Sequence, residues 1–136
     1  MHSTNYSNTF ISVADDCPVE AGQTPPAKNG AKSIAEMQYE LLVLHPYEFT
    51  SDDVVYEVWA DRAGVPVEER EGERERFFSK GQPCLRSSPL GKRYGWGTHH
   101  DSEGRVAAFA LGSPEYDAFA ADPELRQLGA MRSKRA

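Results

Sequence analysis

Cys84, His99 and His100 are the residues whose types best suit chemistry, and all three lie within one segment, residues 79–100. A thiolate is the reactive form of cysteine, and an ordinary thiol with a pKa of about 8.5 is only a few per cent ionised at neutral pH. Lowering that pKa by about 1.5 units requires about 2 kcal/mol of preferential stabilisation of the anion. Arg86, or His99 brought close by folding, is the group that would supply it. The plainer role for Cys84 is a small buried apolar side chain after Pro83. His99 and His100 are neighbours on a predicted strand, so their rings project to opposite faces and cannot readily ligate one ion together. Asp101 and Glu103 stand at no recognised ligand spacing from them, and the two cysteines form no CxxC pair. No metal and no other cofactor is expected.

The same segment carries Lys80, Arg86, Lys92 and Arg93 among glycines and serines, with no carboxylate between them. Guanidinium forks and the backbone N–H groups of glycine-rich turns can hold a phosphate or a carboxylate. Tyr94 and Trp96 are two apart, on one face of a predicted strand, and would offer a flat wall to a ring. Gly81, Gly91, Gly95 and Gly97 do not follow a phosphate-loop pattern and read as turns. The competing role for the four cations is internal. Residues 36–75 hold twelve carboxylates against three arginines, a net −9, and that partner is always present. The pairs Asp52–Asp53 and Glu68–Glu69 fall at predicted helix starts, where the helix dipole accounts for them without acid–base catalysis.

The whole chain of 136 residues has a formal net charge of −6, which argues against general affinity for nucleic acid or acidic membranes. No apolar run approaches the roughly twenty residues that span a bilayer, and residues 1–6 lack the basic start and apolar run of a signal peptide. The expectation is a soluble cytoplasmic protein with reduced thiols. At this length one domain over 1–136 is the simplest organisation, with 1–7 and 132–136 flexible.

The elements around the central segment follow from local signals. Residues 9–14 read as a first strand, and 17–32 as an irregular connection rich in proline and glycine. Ser33 and Glu36 fit a capping box, and Ile34, Met37, Leu41 and Leu44 form the apolar stripe of a helix ending before Pro46. Thr50 or Ser51 caps a second helix over 51–63 that Gly64 terminates. The same residues also alternate as a strand would, and the cap decides for helix. A third helix, largely Glu and Arg, runs from Pro66 to Phe78 and is anchored by Phe77 and Phe78. Residues 94–100 and 105–111 form a hairpin around Gly104; 113–121 form a short helix; 125–131 form a last strand. The fold class is α+β: a small, mainly antiparallel sheet of about four strands with helices packed on one face.

Asn8–Thr9–Phe10–Ile11, Asp16–Cys17–Pro18, Tyr47 through Glu57 and Phe77 through Gly97 resemble, nearly over the whole chain, an uncharacterised family of short, mostly bacterial proteins of unknown function. The most distinctive wording is Lys80-Gly-Gln-Pro-Cys-Leu-Arg86 and Lys92-Arg-Tyr-Gly-Trp-Gly97, and the ending Ala130 through Arg135 is shared. The resemblance implies a stand-alone single domain and carries over no catalytic residues.

Three functions follow. The first is a binding domain for a small anionic ligand, held by Lys80, Arg86, Lys92 and Arg93 beside Tyr94 and Trp96, with the hairpin as roof. The second is an interaction module or homodimer, with the acidic helices of one copy meeting the basic segment of another. The third is an enzyme using Cys84 with His99 or His100.

Overall fold

A computed structural model describes residues 2–27 and 30–133. Five strands form one sheet: β1 (Thr9–Ser12), β2 (Phe49–Thr50), β3 (Trp96–His100), β4 (Arg105–Ala110) and β5 (Arg126–Gly129), in the order β2-β4-β3-β1-β5. The α+β class holds, with two corrections to the expected sheet. Two-residue β2 adds a fifth strand by pairing with β4, and β1 and β5 run parallel, Phe10 opposite Gln127. Both β1 and β4 are antiparallel to β3, so β4 and β5 point the same way. Strands of like direction need a crossover between them. Residues 111–125 supply it, carrying helix α5 (Pro114–Ala120).

That crossover also corrects the expectation of helices on one face. Helices α1 (Ile34–Val43), α2 (Ser51–Ala63) and α4 (Pro89–Arg93) cover the face carrying Val106 and Ala108. Helix α5 covers the other. Its Tyr116 and Phe119 meet Phe10 at 5.0 and 5.8 Å between ring centroids, and Phe119 stacks on His99 at 4.1 Å. Helix α3 (Arg70–Phe77) lies on the far side of α2, after a 3₁₀ turn at Val67–Glu69.

Gly97 sits where β3 passes beneath that aromatic layer. A Cβ there would stand 2.7 Å from Phe10 Cζ, 2.7 Å from Tyr116 Cε2 and 3.1 Å from the Ile11 carbonyl oxygen. Both rings are buried and hold each other in place. Gly97→Ala is expected to destabilise by about 1–3 kcal/mol, as overpacking of a filled core does. Urea denaturation measures it, and an unchanged midpoint would mean that the α5 layer yields without cost.

The caps explain the helix boundaries. Thr50 accepts from the Asp53 N–H while Asp53 accepts from the Thr50 N–H, a complete capping box, and Gly64 ends α2 at φ 71°. On α1 only half of the expected box forms. Ser33 Oγ accepts from the Glu36 N–H, whereas Glu36 Oε1 has no hydrogen-bond partner among the described residues. The buried face of α1 is Ala35, Gln38 and Leu42, one residue round from the expected stripe. Small Ala35 allows close approach, and Gln38 accepts from Ser88 Oγ at 2.5 Å. Ile34 and Leu44 are left exposed.

Helix α2 is buried on two sides. Val54 joins Leu42, Leu85, Leu90, Val106 and Ala108 beneath the sheet, while Tyr56 and Ala60 pack with Phe77 and Phe78 toward α3. Helical apolarity on two opposed faces produces the alternation that also reads as a strand. The N-terminal residues, within the segment expected to be flexible, lie against the start of α2. Asp52 accepts from Ser3 Oγ, Thr4 Oγ1 and the Thr4 N–H, at 2.8, 2.8 and 2.6 Å. Of the expected basic tail, 134–136 lie outside the described residues, as do Met1, Lys28 and Asn29. No helix among the described residues is long and apolar enough to cross a membrane.

Candidate functional site

The central segment is more regular than its glycines imply: a 3₁₀ turn at Leu85–Ser87, then α4, capped by Ser88 with Pro89 at its first turn. Lys92 and Arg93 occupy the last turn of α4, where the helix dipole favours cations. Tyr94 is its C-cap rather than part of the strand, and Gly95 turns the chain at φ 79° before β3 begins at Trp96.

This geometry separates the six expected ligand-binding side chains. Arg93 and Tyr94 line a cavity of about 660 Å³ between the start of α1, the end of α2 and α4. Arg86 Nε instead donates to the Gly129 carbonyl at 2.8 Å, tying the 3₁₀ turn to β5. Trp96 Nε1 donates to the Gln23 carbonyl at 2.8 Å, and its ring meets Tyr39 edge-on at 5.4 Å. Lys80 and Lys92 do not line the cavity. No hairpin residue roofs it; Ala31, Lys32, Ser33, Ile34, Ala35 and Met37 form the opposite wall.

The cavity gathers cations that sequence reasoning missed. Arg62, from the last turn of α2, and Lys32, before α1, join Arg93, and among the described residues no carboxylate lines the space. Lys32 Nζ pairs with Glu40 at 2.8 Å, a contact that raises the lysine pKa through the hydrogen bond and the carboxylate charge. Among the described residues neither Arg62 nor Arg93 is in an ion pair. Three of the acids in 36–75 pair with arginines of the same stretch: Arg70 bridges Glu57 and Asp61 at 3.0 and 2.8 Å, and Arg74 meets Asp53 at 2.8 Å. Burial would raise the Asp53 pKa, but the Thr50 N–H and Arg74 outweigh it and hold the carboxyl below its usual range. No ion pair among the described residues joins Lys80, Arg86, Lys92 or Arg93 to a carboxylate of 36–75. Of the carboxylate pairs, Asp52 and Asp53 start α2, and Glu68 and Glu69 are exposed on the 3₁₀ turn.

A second hollow of about 330 Å³ adjoins the first. It is walled by Val55, Val58, Trp59, Phe77, Pro83 and Cys84, among others. Cys84 Sγ lies 3.3 Å from Tyr6 Oη. Burial first, then this hydrogen bond, raises the tyrosine pKa. Cys84 and Cys17 are both free thiols. The two histidines do point to opposite faces. His99 Nδ1 is 2.7 Å from Tyr47 Oη, and its ring stacks on Phe119. His100 Nε2 is 3.0 Å from Thr98 Oγ1, and its Nδ1 has no hydrogen-bond partner among the described residues. Burial lowers the pKa of both rings, that of His100 to about 4. No group of three or more His, Cys, Asp or Glu side chains suited to a metal ion occurs among the described residues.

No curated protein and no solved structure matches this chain. The distinctive wording of residues 80–97 runs through the 3₁₀ turn and α4 to the sheet, and it belongs to a match that spans the entire sequence: over residues 1–136 the chain is a member of the family of unknown function DUF6157.

Proposed function

We propose that the protein binds a small anionic ligand in the cavity between α1, α2 and α4. The observation that carries this reading is that Arg62, Arg93 and Lys32 line one space, in whose walls no carboxylate stands among the described residues. Among the described residues the two guanidiniums, on separate helices, are in no ion pair, despite a chain surplus of acid. A bound carboxylate or phosphate would accept charge-assisted hydrogen bonds from both. Tyr94 and Met37 supply apolar wall beside them, and the volume falls within the roughly 300–1,000 Å³ of small-molecule sites. Of the central cations, Arg93 is the one that takes part.

Titration calorimetry with inorganic phosphate, pyrophosphate and sugar phosphates tests this. Arg62→Glu and Arg93→Glu are each expected to weaken binding by about tenfold or more, since a hydrogen bond to a charged group contributes about 1.5–3 kcal/mol. Both side chains are exposed and stand in the last turn of a helix, so each reversal should lower stability by no more than about 1–2 kcal/mol through the helix dipole. Affinity that is unaffected by both reversals, or no heat across the panel, removes the reading.

A further inference from the structure

The basic cavity and the apolar hollow lie side by side, with Ile34, Arg62 and Pro89 in the walls of both. In the hollow the polar side chains are turned back on the protein. Ser88 Oγ donates to Gln38 Oε1, Gln82 Nε2 to the Phe77 carbonyl at 2.8 Å, and Ser87 Oγ to Met131 Sδ at 3.1 Å. What remains on offer is apolar surface, with guanidiniums at one end. Ile34 and Trp59 keep 37% and 39% of their surface in water, and both lie in this groove. Ile34 is exposed because the buried face of α1 is one residue round from it, so the fold holds an isoleucine at the junction of the two hollows rather than in the core.

We infer that the groove takes an amphipathic anion: a carboxylate or phosphate ester with its charged group at Arg62 and Arg93 and its hydrocarbon body along Ile34 and Trp59. This rests on the anion-binding reading and adds the apolar half of the ligand. An inorganic anion leaves Trp59 and Ile34 in water. A neutral hydrocarbon of the same length leaves both guanidiniums without a counter-charge. A ligand with both parts uses the whole groove, and each methylene that it buries there tightens binding by about fourfold.

Titration calorimetry on the full chain tests this with acetate, butanoate, hexanoate and octanoate, alongside octyl phosphate, 1-octanol and inorganic phosphate. Affinity is expected to rise by about fourfold per methylene through the series. Octanoate and octyl phosphate should exceed both phosphate and octanol, and Trp59 emission should shift on binding. Ile34→Glu puts a carboxylate at the junction. That position opens α1, where negative charge suits the helix dipole, so the fold should persist by thermal unfolding while octanoate binding falls by at least tenfold. Phosphate binding that the arginine reversals weaken, with no gain along the series, overturns this inference and leaves the anion reading standing. Octanol matching octanoate, or Ile34→Glu without effect on octanoate, also overturns it. No binding by any compound overturns both.

Discussion

Lowering the pH from 7 to 4 is expected to cost the folded state about 3 kcal/mol through His100. The ring is fully buried and its pKa falls from 6.5 to about 4, chiefly by burial and then by the neighbouring His99, against a smaller opposing pull from Asp101. A shift of that size corresponds to about 3 kcal/mol at about 1.4 kcal/mol per unit. The sign follows from proton uptake. Between pH 6.5 and 4 the unfolded chain protonates this ring and the folded chain does not, so acid favours unfolding. The contribution is complete above about pH 6.5 and is lost progressively as the pH falls through that window. His99, also lowered by burial, acts in the same direction. Urea denaturation of wild type and His100→Gln at half-unit pH steps isolates the effect, because the remaining groups titrate in both proteins. The wild-type curve should fall more steeply below pH 6.5, and the ring should titrate near 4 by NMR. Parallel stability curves would show that the folded protein accommodates the imidazolium.

Phe78→Ala should destabilise by about 3–5 kcal/mol, in the range of large aromatic truncations in cores. Phe78 is wholly buried. Its ring meets Phe77 at 4.8 Å and Tyr56 at 6.3 Å, and the Arg74 guanidinium lies 5.6 Å from its centroid. Collapse around the vacancy is resisted, because the Tyr56 hydroxyl donates to the Arg70 carbonyl at 2.6 Å and the Phe78 carbonyl accepts from the His2 N–H at 2.9 Å. Both groups are pinned to neighbouring segments. Trp59→Ala removes a larger side chain and should cost less, since much of that ring is already in water. Guanidinium denaturation of the two variants checks the order. A cost for Trp59→Ala equal to that for Phe78→Ala would mean that the groove wall is as tightly packed as the core behind it.

Features encoded within a few residues of themselves could be read directly. Thr50 with Asp53, Gly64 at a left-handed φ, and Ser113 with Pro114 mark helix ends through hydrogen bonds that span at most five residues. The hairpin is equally local: Asp101 Oδ1 accepts from the N–H groups of Glu103 and Arg105, and Gly104 adopts φ 80°. What escaped depends on distant segments. Two residues at Phe49–Thr50 carry no periodicity, and they become a strand because β4 lies alongside. The face that α1 buries was set by Ser88 reaching Gln38, fifty positions away. The site shows the same division. Arg93 and Tyr94 stood out in a basic segment, but Arg62 sits in an acidic stretch and Lys32 in a loop, and only the packing of α2 against α1 brings them together. Charge counting also offered the acidic helices as partners of the central cations, but a net charge carries no geometry, and no ion pair among the described residues joins the two.

The sheet has brief borders. On one side β2 contributes two residues; on the other, β5 contributes four, with Arg126 and Gln127 exposed. A stray polypeptide seeking unpaired backbone donors and acceptors finds a template too short for a lasting ladder, and on one side it also meets charge. Growth by adding strand upon strand, the route to fibrils, therefore has little purchase on β2 or β5.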